Sequence, residues 1–527
     1  MATYDVILIG TGAGGGTLLH ALADTGLRIL VLERGDFLPR EPQNWDPAAA
    51  FLTGRYKTNE SWRDRDGRAF HPGMHYGVGG NTKVYGAALF RLREHDFERV
   101  VHHGGVSPAW PLRYTDFEPW YTAAEQLYEV RGDRGADPTE PWASRPYAFP
   151  RVEHEPRIQQ LHDDFARIGL RPFHVPLGVR LDARRPQQSA CIRCATCDGF
   201  PCLVQGKSDA ETMCVRPALA RENVTLLTGA RVVQLLTNGS GTAVRSVVVE
   251  RAGQREEYAG EIVVAACGAV NTAALLLRSA NDKHPHGLAN RSGVVGRHYM
   301  CHLNSVALAL SRHPNPTVFQ KTIAVNDYYW RGPDSDRPLG HLSMVGKSDR
   351  VALRAEAPWF APGFVLDGMA RHSLDFWLTS EDLPDADNRV RLDADGGIVL
   401  DYRPNNLAAH AGLLRALKRA LAAIAANRAG WRDRSVVLAK RIPLAGVAHQ
   451  CGTVRFGSDP TTSALDLDCK AHDLDNLYVV DGSFFVSSGA VNPALTIMAN
   501  ALRVGHHLRR RLGVGSASSD ALVGAGR

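Results

Sequence analysis

The first 33 residues place the strongest constraint on the fold of this chain. Residues 4–9 form a short apolar run with β-branched members, which is typical of a buried strand. A glycine-rich stretch, Gly-Thr-Gly-Ala-Gly-Gly-Gly, follows at residues 10–16 and leads into a helical pattern that Gly26 ends. Residues 27–32 form a second apolar run, which ends at Glu33. A strand, a GxGxxG turn, a helix, a strand and an acidic residue in this order predict a dinucleotide-binding α/β unit.

Each residue type in this unit has a physical role in holding a dinucleotide. Gly10 permits a tight exit from the strand, Gly12 lets the backbone approach a pyrophosphate, and Gly15 lets the helix pack closely on the strand. The N-terminus of the helix presents free N–H groups to the phosphates, and Glu33 can accept hydrogen bonds from ribose hydroxyls. An acidic residue at position 33 makes NADP the least suitable nucleotide, so NAD and FAD remain as alternatives.

Further segments predict that the same sheet is assembled from distant parts of the chain. A second glycine cluster spans residues 75–86, and residues 261–266 form another buried-strand pattern that a helix follows. Residues 477–482 form one more strand pattern, and Asn492 and Pro493 begin a helix after it. Proline suits the first turn of a helix, so the groups just before Pro493 face whatever the helix end points at.

The overall composition is that of an ordinary globular protein. The chain has 527 residues, of which 22% are charged and 44% hydrophobic, and its formal net charge is +6. This length predicts roughly two to four structural units, and this charge is too small to indicate a nucleic-acid or anionic membrane surface. No secretory signal and no apolar run long enough to span a bilayer is visible. We therefore expect a cytoplasmic protein without a membrane or nucleic-acid partner.

The glycine clusters and three later motifs occur in the order of one known family. Besides the N-terminal unit and Gly-Gly-Asn-Thr at 79–82, the chain has Ala-Cys-Gly-Ala at 266–269, His-Gln-Cys-Gly-Thr at 449–453, and Asp-Gly-Ser at 481–483 leading to Asn-Pro-Ala-Leu-Thr at 492–496. In these motifs the chain resembles the glucose-methanol-choline (GMC) oxidoreductases over almost its whole length. Within that family it is similar to the bacterial pyranose oxidases and C-glycoside 3-oxidases.

The resemblance implies an α/β fold in which a Rossmann-like FAD-binding domain is interleaved with an α+β substrate-binding domain that contains an antiparallel sheet. Residues 326–330 are expected to contribute a mobile loop over the flavin. The implied domains are residues 1–95, 203–300 and 446–512 for FAD, residues 96–202 and 301–445 for substrate, and a disordered tail at 513–527, which begins with a run of Gly and Ser.

The cofactor implied by the resemblance is FAD, held without a covalent bond. Fungal pyranose oxidases attach their flavin to a histidine of the second glycine cluster, and the matching position here is Val84, with His75 nearby. The implied flavin contacts are Gly10, Gly12, Ala13, Gly14, Gly15, Glu33, Arg34, Gly79, Gly80, Thr82, Val84, Tyr85, Gly86, Val232, Ala266, Cys267, Gly268, Asp481, Gly482, Asn492, Pro493 and Thr496.

The resemblance also implies the chemistry. The alcohol carbon gives a hydride to the flavin N5, and a base takes the hydroxyl proton. Histidine suits this base because its ordinary pKa, near 6.5, lets it be neutral at working pH. His449 matches the family's catalytic histidine, and Asn492 is the expected partner that positions the substrate hydroxyl. His302 also matches a family position, and we interpret it as structural.

The expected substrate is a pyranose sugar or a glycoside, including C-glycosides, oxidised at a secondary ring hydroxyl on carbon 2 or carbon 3 to a keto sugar. Oxygen, which gives H2O2, or a quinone then reoxidises the flavin. Two alternatives stay open: oxidation of another alcohol, such as a sterol or a long-chain alcohol, and a flavin-binding protein without turnover. A homo-oligomer is compatible with the sequence.

Four of the nine cysteines lie close together, at Cys191, Cys194, Cys197 and Cys202. Their spacing approaches that of ferredoxin-like iron–sulfur ligands, but the last gap is one residue longer and Pro201 precedes the last cysteine instead of following it. A zinc site usually has two separated pairs. We therefore expect no metal and interpret the residues as thiols or a local disulfide. The alternatives are a zinc site and an iron–sulfur cluster, and a cluster would make the enzyme a dehydrogenase.

Overall fold

The structure is a computed structural model that describes residues 3–426 and 437–515, so most of the predicted tail, residues 516–527, lies outside the described residues. Within the described ranges, no helix is both long and apolar enough to cross a membrane. The α-helices there are α1 Ala13–Leu22, α2 Tyr114–Leu127, α3 Pro156–Arg167, α4 Arg216–Ala218, α5 Ala269–Arg278, α6 Arg350–Glu356, α7 Gly363–His372, α8 Leu407–Ala426 and α9 Ala494–Arg511.

The strands form several sheets. In chain order they are β1 Thr3–Ile9, β2 Ile29–Leu32, β3 Trp62–Asp64, β4 Ala69–Phe70, β5 Val100–Val101, β6 Val106–Ser107, β7 Val130–Gly132, β8 Phe149–Pro150, β9 Pro172–His174, β10 Leu177–Gly178, β11 Val224–Leu227, β12 Arg231–Thr237, β13 Val244–Arg251, β14 Gln254–Ala265, β15 Met300–Cys301, β16 Leu303–Leu310, β17 Ile323–Val325, β18 His341–Met344, β19 Ser373–Ser380, β20 Arg389–Leu392, β21 Ile398–Asp401, β22 Val437–Arg441, β23 Gln450–Cys451 and β24 Leu477–Val479.

The largest sheet contains the predicted dinucleotide-binding unit, and its Rossmann-like character is confirmed. Strands β11, β2, β1, β14 and β24 lie side by side and run parallel. Strand β14 also pairs in antiparallel fashion with β13, which in turn pairs with β12. The apolar runs of β1 and β2 are buried because helices cover the sheet. Helices α1 and α9 pack closely, since Gly505 of α9 faces Ala21 of α1 and a Cβ at Gly505 would lie 2.7 Å from the Ala21 Cβ.

A second, six-stranded sheet has the order β22, β16, β19, β18, β17, β9, and all its pairings are antiparallel. Apolar residues of α3 and α8, such as Leu161 and Leu417, form a core with strand residues such as Phe376. The strands of this sheet fall within the ranges expected for the substrate-binding domain, and those of the largest sheet within the FAD-binding ranges. The domain boundaries themselves stay a prediction.

Residues 326–330 form a turn after β17 that is anchored in the interior, where a mobile loop over the flavin was expected. Asn326 and Tyr329 are buried. The Asn326 amide donates to Asp137 at 2.8 Å, and the Tyr329 hydroxyl donates to Asp96 at 2.8 Å. The side chains of Asn326 and Tyr329 therefore fix this turn to the buried carboxylates of two other segments.

Candidate active site

A cavity of about 690 Å³ lies between the two large sheets. Gly10, Glu33 and Ala266, which directly follow β1, β2 and β14, form one wall. The opposite wall comes from the antiparallel sheet, with Val306 of β16 and Trp377 of β19. The carboxyl ends of parallel strands are where α/β sheets bind ligands, and here the second sheet closes the site.

Most of the residues singled out in the sequence line this cavity. They are Gly10, Gly12, Ala13, Gly14, Glu33, Arg34, Gly80, Thr82, Val84, Tyr85, Gly86, Val232, Ala266, Cys267, Gly268, His449, Asp481, Gly482, Asn492 and Pro493. The other three, Gly15, Gly79 and Thr496, do not line the cavity. A Cβ at Gly15 would meet the Gly10 carbonyl oxygen at 2.0 Å, the Gly79 amide donates to the Thr11 hydroxyl at 3.0 Å, and the Thr496 hydroxyl lies 2.8 Å from that of Tyr121. Their contact with a flavin stays a prediction.

The N-terminus of α1 fits a dinucleotide pyrophosphate. Gly12 caps this helix without a side-chain hydrogen bond, and the first turn carries no acidic residue. A Cβ at Gly12 would meet no atom within 4 Å, so the space beside it is open to a ligand. Free N–H groups and the positive end of the helix dipole then face the cavity, which is the arrangement that binds phosphate.

Two buried carboxylates stabilise this half of the site. Glu33 accepts hydrogen bonds from the Thr11 amide at 3.0 Å, the Thr11 hydroxyl at 2.6 Å and the Gly35 amide at 3.0 Å. Asp481 accepts from the Gly268 amide at 2.9 Å, the Thr272 hydroxyl at 2.5 Å and Ser483, so it ties the end of β24 to the start of α5. Burial raises the pKa of both carboxyl groups, and these hydrogen bonds oppose that shift.

The second glycine cluster supplies Val84 and His75 to the wall. Val84 has no atom that could form a covalent link to a flavin. His75 Nδ1 lies 2.8 Å from the Tyr56 carbonyl oxygen, and burial lowers the pKa of its ring to about 4. Buried ion pairs hold this cluster in place, since Lys83 pairs with Asp209 at 3.0 Å and with Glu211 at 2.6 Å.

The two predicted catalytic side chains lie next to each other in the cavity wall. His449 Nε2 and Asn492 Nδ2 are 3.5 Å apart. Burial, together with the smaller effect of the nearby His302 ring, lowers the pKa of His449 to about 3, so the imidazole is neutral. A neutral imidazole beside an amide can hold one hydroxyl oxygen and remove its proton.

The interpretation of His302 as merely structural is incomplete. Its Nδ1 lies 3.0 Å from Nδ1 of His449, and its Nε2 lies 3.2 Å from the Ser488 carbonyl oxygen. His302 is buried and does not line the cavity, so it can act on a substrate only through His449.

The wall opposite the parallel sheet mixes polar and aromatic groups that sequence reasoning missed. Val306, Trp377 and Ser343 are neighbours across three adjacent strands and all line the cavity, together with Asn304 and Gln450. Such a surface suits a sugar ring. Only Gln450 lies in a recognisable motif; the others come together through strand register, which leaves no local signal in the sequence.

The cysteine-rich segment forms part of this wall. Lys207 Nζ donates to the Cys197 carbonyl at 2.8 Å and the Phe200 carbonyl at 2.9 Å, and Lys321 Nζ pairs with Asp198 at 2.5 Å. All nine cysteines are unpaired thiols. Within residues 3–426 and 437–515, no three His, Cys, Asp or Glu side chains are arranged to hold a metal ion.

Known proteins resemble the whole chain. Two family models, both described as GMC oxidoreductase, match residues 4–314 and 384–501. A 6'''-hydroxyparomomycin C oxidase from Streptomyces lividus is 31% identical, with 97% of this chain and 92% of the relative covered. A paromamine 6'-oxidase from Streptomyces fradiae is 30% identical, with 95% and 90% covered. The crystal structure of pyridoxine 4-oxidase from Mesorbium loti has a TM-score of 0.67 at 20% identity and covers 96% of this chain and 99% of its own.

Proposed function

The chain belongs to the GMC oxidoreductases and is an FAD-dependent enzyme that acts on CH–OH groups, and from this premise we propose that its substrate is a neutral pyranose or glycoside, C-glycosides included. The site of oxidation is a secondary ring hydroxyl on carbon 2 or carbon 3, and the product is a keto sugar. Oxygen, giving H2O2, or a quinone is the final acceptor.

The observation that carries this proposal is the state of the carboxylates in the cavity wall. Glu33 and Asp481 are engaged as described, Asp198 pairs with Lys321 and accepts the Gly346 amide at 2.7 Å, and Asp349 caps α6. Each acidic group in the wall thus already has a partner, and none is left to bind an ammonium group of the substrate. Cationic side chains, among them Lys57, Arg231 and Lys347, also line the cavity and would repel an ammonium group. The amides, hydroxyls and indole of the wall suit a neutral sugar.

The residues perform the reaction as follows. His449 Nε2 takes the hydroxyl proton, while Asn492 donates its amide N–H to the same oxygen and fixes its position. Because Nε2 and Nδ2 are 3.5 Å apart, one hydroxyl oxygen can contact both atoms. FAD, when bound, supplies the hydride acceptor. Gly12, Glu33 and the N-terminus of α1 would hold its dinucleotide part.

The names of the two relatives favour a second candidate. Both names refer to position 6 of a sugar ring system, and carbon 6 of a hexopyranose is the primary alcohol outside the ring. The same base and amide could serve this hydroxyl if the sugar entered with carbon 6 foremost. A sterol or long-chain alcohol would leave Ser343, Asn304 and Gln450 of the cavity wall without a polar partner on the substrate.

Deoxy sugars separate these candidates. Glucose, a C-glycoside and the 2-, 3- and 6-deoxy forms of glucose are added anaerobically to the purified flavoenzyme, and bleaching of the oxidised flavin band is recorded. We expect bleaching with 6-deoxyglucose and its loss with either the 2-deoxy or the 3-deoxy sugar. Loss with 6-deoxyglucose alone would show that the primary alcohol is oxidised. Bleaching by 1-dodecanol and by none of the sugars would refute the sugar proposal.

The role of His449 is tested by His449→Ala, with His71→Ala as a control because His71 is exposed and lies outside the cavity. His449→Ala should retain FAD but reduce it slower by about 10²–10⁴-fold, which is the usual contribution of a general base. An unchanged rate would place the base elsewhere. In both variants FAD should leave the denatured protein, since Val84 offers no covalent link.

A further inference from the structure

We propose that His302 is a positioning residue that holds His449 in the one neutral tautomer able to act as a base. This inference rests on the proposed role of His449. It assigns a function to a buried side chain that does not line the cavity and therefore cannot contact the substrate. The proposal follows from three hydrogen-bond contacts and from which atom of each contact donates and which accepts.

Strand pairing brings the two histidines together. Strands β15 and β23 are antiparallel, with Met300 opposite Cys451 and Cys301 opposite Gln450. His302 and His449 are the next residues along these strands, so they come opposite each other. Their rings meet edge to face at 82°, with Nδ1 3.0 Å from Nδ1.

The direction of the hydrogen bonds is fixed from the buried end. The Ser488 carbonyl can only accept, so His302 Nε2, 3.2 Å away, carries a proton. In a neutral His302 ring, Nδ1 is then the acceptor. The partner at 3.0 Å, His449 Nδ1, must therefore donate, and His449 Nε2 keeps its lone pair. This is the atom that faces Asn492 at 3.5 Å.

The hydrogen-bonded series runs from the Ser488 carbonyl through His302 and His449 to the Asn492 amide, and its first and last groups belong to one loop. Ser488 supplies the carbonyl, and Asn492 supplies the amide beside the base. The loop is held from outside, because the Ala490 amide donates to the Tyr329 hydroxyl at 3.0 Å and the Ser488 hydroxyl donates to the Asp382 carbonyl at 3.2 Å. The loop thus sets the distance between acceptor and base, and also the orientation of the amide.

The neutral state that this argument needs is supported by the surroundings. A protonated His302 would carry hydrogens on both nitrogens and could not accept from His449. Burial lowers the pKa of His302 to about 4. After proton transfer from substrate, His449 would keep donating through Nδ1, and His302 would stabilise the imidazolium as an orienting carboxylate does in a catalytic triad.

A measurement on the flavin-loaded enzyme tests the tautomer directly. In protein labelled with ¹⁵N-histidine, long-range ¹H–¹⁵N NMR shows which ring nitrogen of His449 carries the proton, and the signal is identified by its loss in His449→Asn. We expect an Nδ1–H ring in the wild type and a shift towards Nε2–H in His302→Phe. An Nε2–H ring in the wild type would overturn the proposal even if His302→Phe failed to fold.

A rate measurement separates positioning from packing. His302→Phe should lower the rate of flavin reduction roughly 10- to 100-fold, a part of the general-base effect, with KM unchanged. His302→Asn should restore most of the rate, because its Oδ1 can take the place of Nδ1 as acceptor. Equal loss in both variants would refute the assignment. A normal rate in His449→Ala would instead refute the proposed base and leave the NMR result intact.

Discussion

Burial decides how the two histidines of the site can be used. It lowers the pKa of His449 to about 3 and that of His302 to about 4. A histidine with its ordinary pKa of about 6.5 would be half protonated at about pH 6.5, and the protonated half could not act as a base. Both rings therefore stay neutral in the folded protein well into the acidic range, and the base needs no deprotonation before substrate binds.

This neutrality predicts a flat pH profile. The rate of anaerobic flavin reduction, measured by stopped flow at saturating sugar, should stay constant within about two-fold from pH 8 down to pH 5, because a lowered pKa means that protonation begins only near the shifted value. Stability of the protein across this range is checked by thermal unfolding. A fall to half near pH 6.5 would show that His449 titrates as an ordinary histidine.

Individual residues were predictable where a motif marks them. His449 and Asn492 were chosen because short motifs surround them, and both lie in the cavity. The contact of His302 with His449 depends on the pairing of β15 with β23, and the row of Val306, Trp377 and Ser343 depends on strand register. Pairing between distant strands is not encoded in any local pattern, so these contacts could not be predicted.

At the scale of elements, the cysteine-rich segment is best understood as a wall held by two buried lysines. Burial raises the pKa of the Cys191 thiol to about 12 and also raises that of Cys197, so both thiols are protonated at neutral pH. Metal binding requires thiolates that converge on one point, and no such group of three ligands occurs among residues 3–426 and 437–515.

We therefore predict a spectrum that shows only flavin bands and an iron content below about 0.1 atom per chain. Iodoacetamide at pH 7 should modify Cys191 and Cys197 more slowly than the half-buried Cys194 and Cys202. Nine thiols should titrate in denaturant without reductant. Iron that remains after gel filtration, and is lost in Cys191→Ser but not in Cys469→Ser, would contradict this prediction and support an iron–sulfur cluster at these cysteines.

Elements were predictable where periodicity and turn chemistry agree. The strand patterns before Gly10 and Glu33 became β1 and β2, and Pro493 stands just before α9. A mobile loop was expected at residues 326–330, but Asn326 and Tyr329 bind Asp137 and Asp96, which lie far away in the sequence and leave no local signal.

At the scale of the whole molecule, close backbone contacts join parts of the chain that lie far apart in the sequence. A Cβ at Gly10 would lie 2.5 Å from the Ala266 carbonyl oxygen, and a Cβ at Gly14 would lie 2.1 Å from that of Val480. These glycines let the ends of β1, β14 and β24 converge below the N-terminus of α1. Folding of the first unit and closure of the flavin site therefore depend on residues near the C-terminus.

Three glycine-to-alanine variants test this dependence. Gly14→Ala forces the first and last segments of the site apart, so it should lower the free energy of unfolding by about 1–3 kcal/mol or more and abolish FAD binding. Gly12→Ala meets no protein atom within 4 Å but projects into the space expected for the pyrophosphate. It should leave the unfolding temperature of the flavin-free protein unchanged and weaken FAD binding alone. Gly239→Ala, in an open turn, should change neither stability nor FAD binding.

Thermal unfolding of flavin-stripped protein measures the effect on stability, and FAD titration by fluorescence measures the effect on flavin binding. If Gly14→Ala kept its stability and its flavin, the first and last segments would not need to meet as closely as the structure shows, and the site would tolerate their separation.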